Sequence, residues 1–281
     1  MAKQERHILA LSGGKDSAAL AVYMREKRPD LPMEYVFIDS GCELQETHSY
    51  INRVRAVLNI SITTIGGGNP EDRKDFLWWL KAKGDYLPSP RNRWCTEVLK
   101  IIPYNNWIMD KCHEQIVHSY VGLRADEKRE RKGNFRRSDD FYQHHPFMED
   151  GLVYDDIKEL LESSGIGFPA YYKWRSRSGC YFCFYQTKRE WLGLHDHHEK
   201  LFWQAAEMEK VDPSTGKQYT WCEGITLREL VNIRDSIPAN AKEITHGQEK
   251  CPKLTHALSK CCQSISFNLG NIIRKGGENG T

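Results

Sequence analysis

No apolar run in this chain approaches the ~20 residues that a bilayer crossing requires, and no signal-type hydrophobic region follows Met1. A membrane-spanning helix is therefore excluded, and a cytoplasmic setting is expected. Net charge is almost absent: 40 Lys and Arg stand against 38 Asp and Glu, leaving +2, so bulk electrostatics argue neither for nor against nucleic acid. No internal repeat occurs, which excludes solenoids and propellers. Neither G-x-x-x-x-G-K-[ST] nor G-x-G-x-x-G is present, so the chain carries no Walker loop and no dinucleotide fingerprint. Cysteine, by contrast, is plentiful. Nine of them without a secretory leader read as metal ligands or reactive thiols in a reducing compartment rather than as disulfides. At 281 residues the chain can bury a full core, as one large domain or a domain with an appendage.

The most informative stretch is residues 7–20, His-Ile-Leu-Ala-Leu-Ser-Gly-Gly-Lys-Asp-Ser-Ala-Ala-Leu. An apolar run ending at Leu11 breaks at Gly13 and Gly14 and restarts as a helix-compatible run from Ala18. That order is a strand, a phosphate-sized turn and a helix N-terminus, where backbone N–H groups and the helix dipole favour an anion. Ser12 and Ser17 add hydroxyl donors, Lys15 a mobile positive charge, and Asp16 can cap the helix or hold magnesium. The S-G-G-x-D-S string resembles the pyrophosphatase loop of the PP-loop ATP pyrophosphatase superfamily.

The pattern predicts strands at 7–11, 34–39, 60–65 and 116–121, alternating with helices at 16–26 and 45–58. Such alternation indicates an α/β fold with a parallel sheet flanked by helices and ligands at the carboxyl ends of the strands. Beyond residue 150 the alternation stops, and helices are predicted at 153–163, 188–210 and 227–233. The reading is an α/β nucleotide-binding domain over 1–145 and a more helical, Cys-containing region over 146–281, both able to share one site.

Three further segments carry candidate chemistry. Ile38-Asp39-Ser40-Gly41, with Glu46-Thr47 after it, stands where a second-strand carboxylate meets a ribose, or is a plain strand exit. Gly122-Leu123-Arg124 through Arg131 gathers arginines after a strand, as a phosphate or sulfate clamp would, or forms a solvated charge run. Cys180-Tyr181-Phe182-Cys183 is a C-x-x-C that can chelate one metal from a tight turn. Cys95 is its first partner, with Arg91, Arg93 and Lys100 placed to lower a thiolate pKa. Cys222 is the first choice of fourth ligand, ahead of Cys251 and Cys261-Cys262. Iron–sulfur, zinc, a redox dithiol and no metal all remain open. His195, His197 and His198 read better as hydrogen-bonded helix residues than as ligands. Phe76-Leu77-Trp78-Trp79 and Tyr171-Tyr172-Lys173-Trp174 read as core or as base-stacking surface, and Lys173, Arg175 and Arg177 suit a nucleic-acid-facing edge.

The order Ser12–Ser17, Asp39–Thr47, Arg93–Lys100, Gly122–Arg131 and Gly179–Cys183 resembles the PAPS reductase-like branch of the PP-loop superfamily over roughly residues 5–200. The second segment resembles D-T-G-x-x-x-x-E-T with Ser40 in place of Thr, and the fourth resembles G-x-R-x-x-[EQ]-S-x-x-R with Lys128 in place of Ser. The resemblance implies an adenine nucleotide α-hydrolase-like sheet, ATP and Mg²⁺ as ligands, and a [4Fe–4S] cluster in some members. It implies Lys15, Asp16 and Arg124 as catalytic groups, with Leu11, Ser12, Gly13, Gly14, Ser17, Ile38, Asp39, Ser40, Gly122 and Arg131 around the nucleotide. The chain departs from true sulfonucleotide reductases, which carry E-C-G-[IL]-H, unless Cys261 or Cys262 is a displaced catalytic thiol. What remains resembles the ATP pyrophosphatase of DNA phosphorothioation systems of the Dnd and Ssp type, or a related nucleic-acid sulfur-transfer enzyme. Expected partners are a cysteine desulfurase, other sulfur-transfer subunits, and DNA or RNA. A non-catalytic nucleotide-binding partner is the alternative.

Overall fold

The computed structural model describes residues 3–66, 74–127, 135–177, 179–211, 214 and 218–237. Its sheet has the order β3-β2-β1-β4-β6-β5. Strands β1 (Glu5–Leu11), β2 (Met33–Asp39), β3 (Ile62–Gly66), β4 (Ile116–Tyr120) and β6 (Phe141–His144) are parallel, and β5 (Phe135–Ser138) pairs antiparallel with β6. Apolar residues on both faces of β1 explain its central place: Leu9 and Leu11 enter one core, Ile8 the other.

Helices α1 (Lys15–Lys27) and α2 (Gln45–Leu58) cover one face, with α2 inserting Tyr50, Ile51, Val54 and Leu58 at helical spacing. Asn59 ends α2 in the left-handed conformation at φ 48°. Next come the short α3 (Phe76–Ala82) and the one-turn α4 (Trp94–Thr96). A π-helical stretch, Glu97–Ile101, then leads into α5 (Ile102–Lys111), whose Ile108 packs on the opposite sheet face against Ile8 and Val117. After α6 (Pro146–Glu149), α7 (Tyr154–Ser163) returns to the α1 side, and its Ile157 and Leu161 enter the same core as Leu9 and Ala18. Packing is thus continuous across residue 145.

The predicted helix over 188–210 is two helices, α8 (Lys188–His197) and α9 (Glu199–Glu207). His198 breaks them at φ −144°, ψ 60°, where its imidazole lies 2.7 Å from Glu46 Oε1; the tertiary contact overrides helix propensity. A two-strand ribbon, β7 (Lys210–Val211) with β8 (Gln218–Tyr219), and α10 (Leu227–Asn232) complete the described chain.

Winding runs outward from β1 to β3 and then restarts on the other side of β1 at β4. The order therefore switches between β1 and β4, which opens a crevice at their carboxyl ends.

One strand face carries His7, His118 and His144 on adjacent strands, stacked with ring centroids 4.9 and 5.1 Å apart. Burial, then the neighbouring His118, lowers the pKa of His7 and takes that of His144 down to about 4, while Glu5 beside His7 and His118 opposes the effect only in part. The His144 ring stays neutral in the fold down to about 4 while the unfolded chain protonates near 6.5, and the lowered His7 acts in the same direction, so stability declines as pH falls from about 6.5 to 4. A loss of order 1 kcal/mol, about 2–4 °C in Tm, is expected across that window, flattened in His144→Phe; thermal melts at stepped pH check it.

Candidate active site

The Ser12-Gly13-Gly14 turn leaves β1 at the switch crevice. Gly13 has φ +73°, and a Cβ there would lie 2.3 Å from Thr47 Cγ2, so the turn is pressed against the first turn of α2. The loop is tied internally: Ser12 N–H donates to Ser17 Oγ at 3.1 Å, and Ser17 Oγ donates to the Gly14 carbonyl at 3.1 Å. Gly14 is the N-cap of α1. Asp16 therefore does not cap the helix as expected. Its carboxylate holds two cations instead, Lys15 Nζ at 2.6 Å on Oδ2 and Arg124 Nη1 at 2.8 Å on Oδ1.

Both cations are buried, Lys15 at 4% and Arg124 at 3% exposure. Burial lowers the Lys15 pKa, with Asp16 opposing; in Arg124 the burial effect is outweighed by Asp16, Asp126 and Glu127, and the pKa is raised. Arg124 leaves β4 through Gly122, which lies so close to α1 that a Cβ would stand 2.7 Å from the Asp16 carbonyl oxygen. The rings of Tyr154 and Tyr172 flank Lys15 at 5.7 and 5.9 Å, and Tyr171 Oη donates to the Gly13 carbonyl at 3.0 Å. Arg131, named with this clamp, lies outside the described residues.

At the end of β2, beyond Ile38, Asp39 Oδ1 accepts from the Gly41 N–H at 2.7 Å, and Ser40 Oγ donates to Glu43 Oε1 at 2.8 Å. Glu43 is the hub that the sequence reading missed. Its fully buried carboxylate also meets Lys100 Nζ at 3.1 Å and the Cys180 thiol at 3.3 Å. Lys100 and the hydrogen bonds overcome burial and lower the Glu43 pKa. No local pattern marks Glu43, because its partners lie on β2's exit, the π-helical stretch and the C-x-x-C turn.

That turn docks on the β2 exit by short-range pairing. Leu44 N–H donates to the Gly179 carbonyl at 2.7 Å and Tyr181 N–H to the Cys42 carbonyl at 3.1 Å. A Cβ on Gly179 would fall 2.2 Å from Thr47 Oγ1, so only glycine fits. Thr47 thus touches both the phosphate-type loop and the cysteine turn.

Cys95, Cys180 and Cys183 come into mutual electrostatic reach, Cys183 raising the pKa of each of the other two. Arg93 pulls the Cys95 thiol down but is outweighed. Burial, then Cys183, pushes it up to about 11, and burial with Glu43 pushes Cys180 up to about 12. Cys222 lies in a turn bridged to Ile225, with Glu209 and Lys188 as its charged neighbours, in the same apolar cluster as Cys95 and Cys180. Among the described residues no group of three or more His, Cys, Asp or Glu is placed to hold a metal. Cys251, Cys261 and Cys262 lie outside the described residues. Arg175, assigned to a solvent-facing edge, is completely buried and donates to the Cys180 carbonyl at 2.7 Å. His195 is held by Arg234 and Asp196, and His197 stacks on Trp174.

A family model described as the phosphoadenosine phosphosulfate reductase domain matches residues 6–183, the span that contains the loop, the Arg124 clamp and the cysteine turn. The chain belongs to the PAPS reductase domain family. Family members are enzymes of the PAPS reductase and PP-loop type. An uncharacterized protein of Methanocaldococcus jannaschii is 27% identical over 226 residues, covering 76% of this chain and 45% of that protein. The chain spans about half the length of the curated relatives it matches. Among solved structures, PAPS reductase from Candida auris, in a phosphate complex, aligns with TM-score 0.47 and 13% identity over 65% of this chain and 84% of that one. The U34-tRNA thiolase NcsA from Methanococcus maripaludis with its [4Fe–4S] cluster aligns with TM-score 0.41 and 13% identity over 86% and 76%. Among the described residues of this PAPS reductase family chain, no helix is long and apolar enough to cross a membrane.

Proposed function

We propose that this chain is an ATP pyrophosphatase that cleaves between the α- and β-phosphates to activate a nucleic-acid acceptor for sulfur transfer, as in DNA phosphorothioation. The observation that carries the reading is the shared wall at Thr47, which presses Gly13 of the loop and Gly179 of the cysteine turn into one site. A phosphate cradle and a cysteine turn braced on the same residue suit a reaction that joins nucleotide activation to sulfur chemistry.

In the proposed reaction, an acceptor oxygen attacks the α-phosphorus of ATP and pyrophosphate leaves. The terminal sulfur of a cysteine persulfide then attacks the adenylated acceptor, the acceptor–oxygen bond breaks and AMP leaves with that oxygen. A second cysteine thiolate attacks the inner sulfur of the acceptor–S–S–Cys adduct, forming a cysteine disulfide and leaving the outer sulfur on the acceptor. Ser12, Gly13, Gly14 and Ser17 hold the polyphosphate at the α1 N-terminus, and Leu11, Ile38, Asp39, Ser40 and Gly122 line the nucleoside side. Lys15 and Arg124 neutralise the charge that develops on the leaving group; phosphoryl-type transfer needs such neutralisation more than covalent help. Bound Mg²⁺ supplies further neutralisation. Asp16 fits as its protein ligand, since its side chain stays 27% exposed and each oxygen keeps a second lone pair.

Pyrophosphate release from ATP, measured with an oligonucleotide present and lost in Ser12→Ala, is the expected result. Cleavage of only the γ-phosphate overturns the reading, and nucleotide binding without turnover favours a binding partner. Anaerobic purification assigns the role of the thiols: a brown protein with a ~400 nm shoulder marks a [4Fe–4S] cluster, bound zinc a structural knot, and neither a redox dithiol.

A further inference from the structure

The cysteine turn has a rim that the nucleotide chemistry does not use. Tyr185, two residues beyond Cys183, carries the Arg177 guanidinium 4.3 Å from its ring centroid and that of Arg93 at 5.7 Å. Arg93 precedes Trp94 and Cys95 in sequence, and Arg177 lies just ahead of Gly179. Neither guanidinium has a carboxylate partner among the described residues, unlike Arg6, Arg124 and Arg234. Two arginines pinned on one ring and left without counter-charge form a ready clamp for phosphate oxygens.

The same rim carries an aromatic platform. In α3, Phe76 stacks on Phe182 of the C-x-x-C at 3.5 Å and on Trp94 at 5.2 Å, while the Trp94 indole donates to the Tyr86 carbonyl at 3.0 Å. This anchoring turns the next two residues outward: Leu77 is exposed, and Trp78 is 44% exposed with Lys74 Nζ 4.8 Å over its ring. The clamp and the platform are linked through the chain: Arg93 directly precedes Trp94 of the Phe76 stack, and Phe182 of that stack directly precedes Cys183.

We propose that this rim docks single-stranded nucleic acid, Arg93 and Arg177 taking backbone phosphates and Trp78 stacking a base, so that the strand passes the segments that carry Cys95 and Cys183. An exposed indole that stacks a base requires an unstacked one, which a duplex interior does not offer; arginines without counter-charge disfavour an apolar partner, and the indole beside them favours a strand that supplies bases as well as anions. The inference deepens the proposed function by naming the acceptor's form, and rests on it only for the chemistry after binding.

Fluorescence anisotropy of the full chain with a labelled oligodeoxynucleotide of about 20 nucleotides, single-stranded or annealed, tests it from 50 to 200 mM salt. The single strand is expected to bind at least tenfold more tightly than the duplex. Arg93→Ala/Arg177→Ala weakens it at least tenfold and flattens the log–log salt slope by about 1.4. Trp78→Ala weakens it at least fivefold with the slope unchanged. Arg93→Lys/Arg177→Lys controls for folding and retains the slope. Equal affinity for single strand and duplex, or no change in the double alanine variant, overturns the inference. Strand binding without pyrophosphate release leaves the docking surface standing and removes the proposed function; pyrophosphate release without strand binding does the reverse.

Discussion

Asp16→Ala is expected to destabilise the fold by about 3 kcal/mol and to cut pyrophosphate release at least a hundredfold. One carboxylate holds two cations whose side chains are almost wholly buried, Lys15 at 2.6 Å and Arg124 at 2.8 Å. Removing it leaves Lys15 between two tyrosine rings with burial opposed only by the weaker pull of Glu127, while Arg124 retains ion pairs with Asp126 and Glu127. The larger share of the loss should therefore arise at Lys15. Asp16→Asn keeps an acceptor for one partner and should fall between wild type and alanine. Urea melts report the stability change, and a coupled pyrophosphate assay reports the rate. A variant with wild-type release would show that the loop's cations are not positioned by Asp16.

Gly179→Ala is the second large effect, an expected loss of about 3 kcal/mol with the cysteine turn lifted off the β2 exit. The added methyl would stand 2.2 Å from Thr47 Oγ1, 2.5 Å from Glu43 Oε2 and 2.9 Å from Thr47 Cγ2. The Leu44 to Gly179 hydrogen bond leaves no slack for the turn to retreat without breaking. Thr47→Ala removes two of the three colliding atoms, so Gly179→Ala/Thr47→Ala should regain most of the stability. Gly13→Ala/Thr47→Ala should not, because Gly13 keeps φ +73° whatever space is made. Urea midpoints in a double-mutant cycle check the coupling, and simple additivity at 179 and 47 would refute the wedge role of Thr47.

The phosphate-type loop and the sheet that carries it were legible because their signals are local. Gly13 and Gly14 between an apolar run and a helix can form few other structures, and α2 begins and ends where its periodicity does. The errors have equally specific causes. His198 breaks a helix that its sequence supports because Glu46, 152 residues away, accepts its imidazole. Arg175 reads as one of three interleaved surface cations, yet its guanidinium is drawn under the cysteine turn by the Cys180 carbonyl. Cys95 reads as acidified by Arg91, Arg93 and Lys100, but desolvation outweighs their charge. The reading of Tyr171 and Tyr172 as core holds, since both are buried, and from there they also brace the loop.

The sequence by itself determined the α/β class, the loop at the end of β1, the cationic segment after β4 and the candidate cysteines, since each depends on residues within about a dozen positions of one another. Only the tertiary structure decided which of these meet. The switch in strand order between β1 and β4 brought Arg124 to Asp16, the fit of Gly13 and Gly179 around Thr47 joined the loop to the thiols, and Glu43 became their common buried anion. Those are contacts between segments 30 to 160 residues apart, selected by packing and desolvation across the whole fold, and no spacing within one segment encodes them.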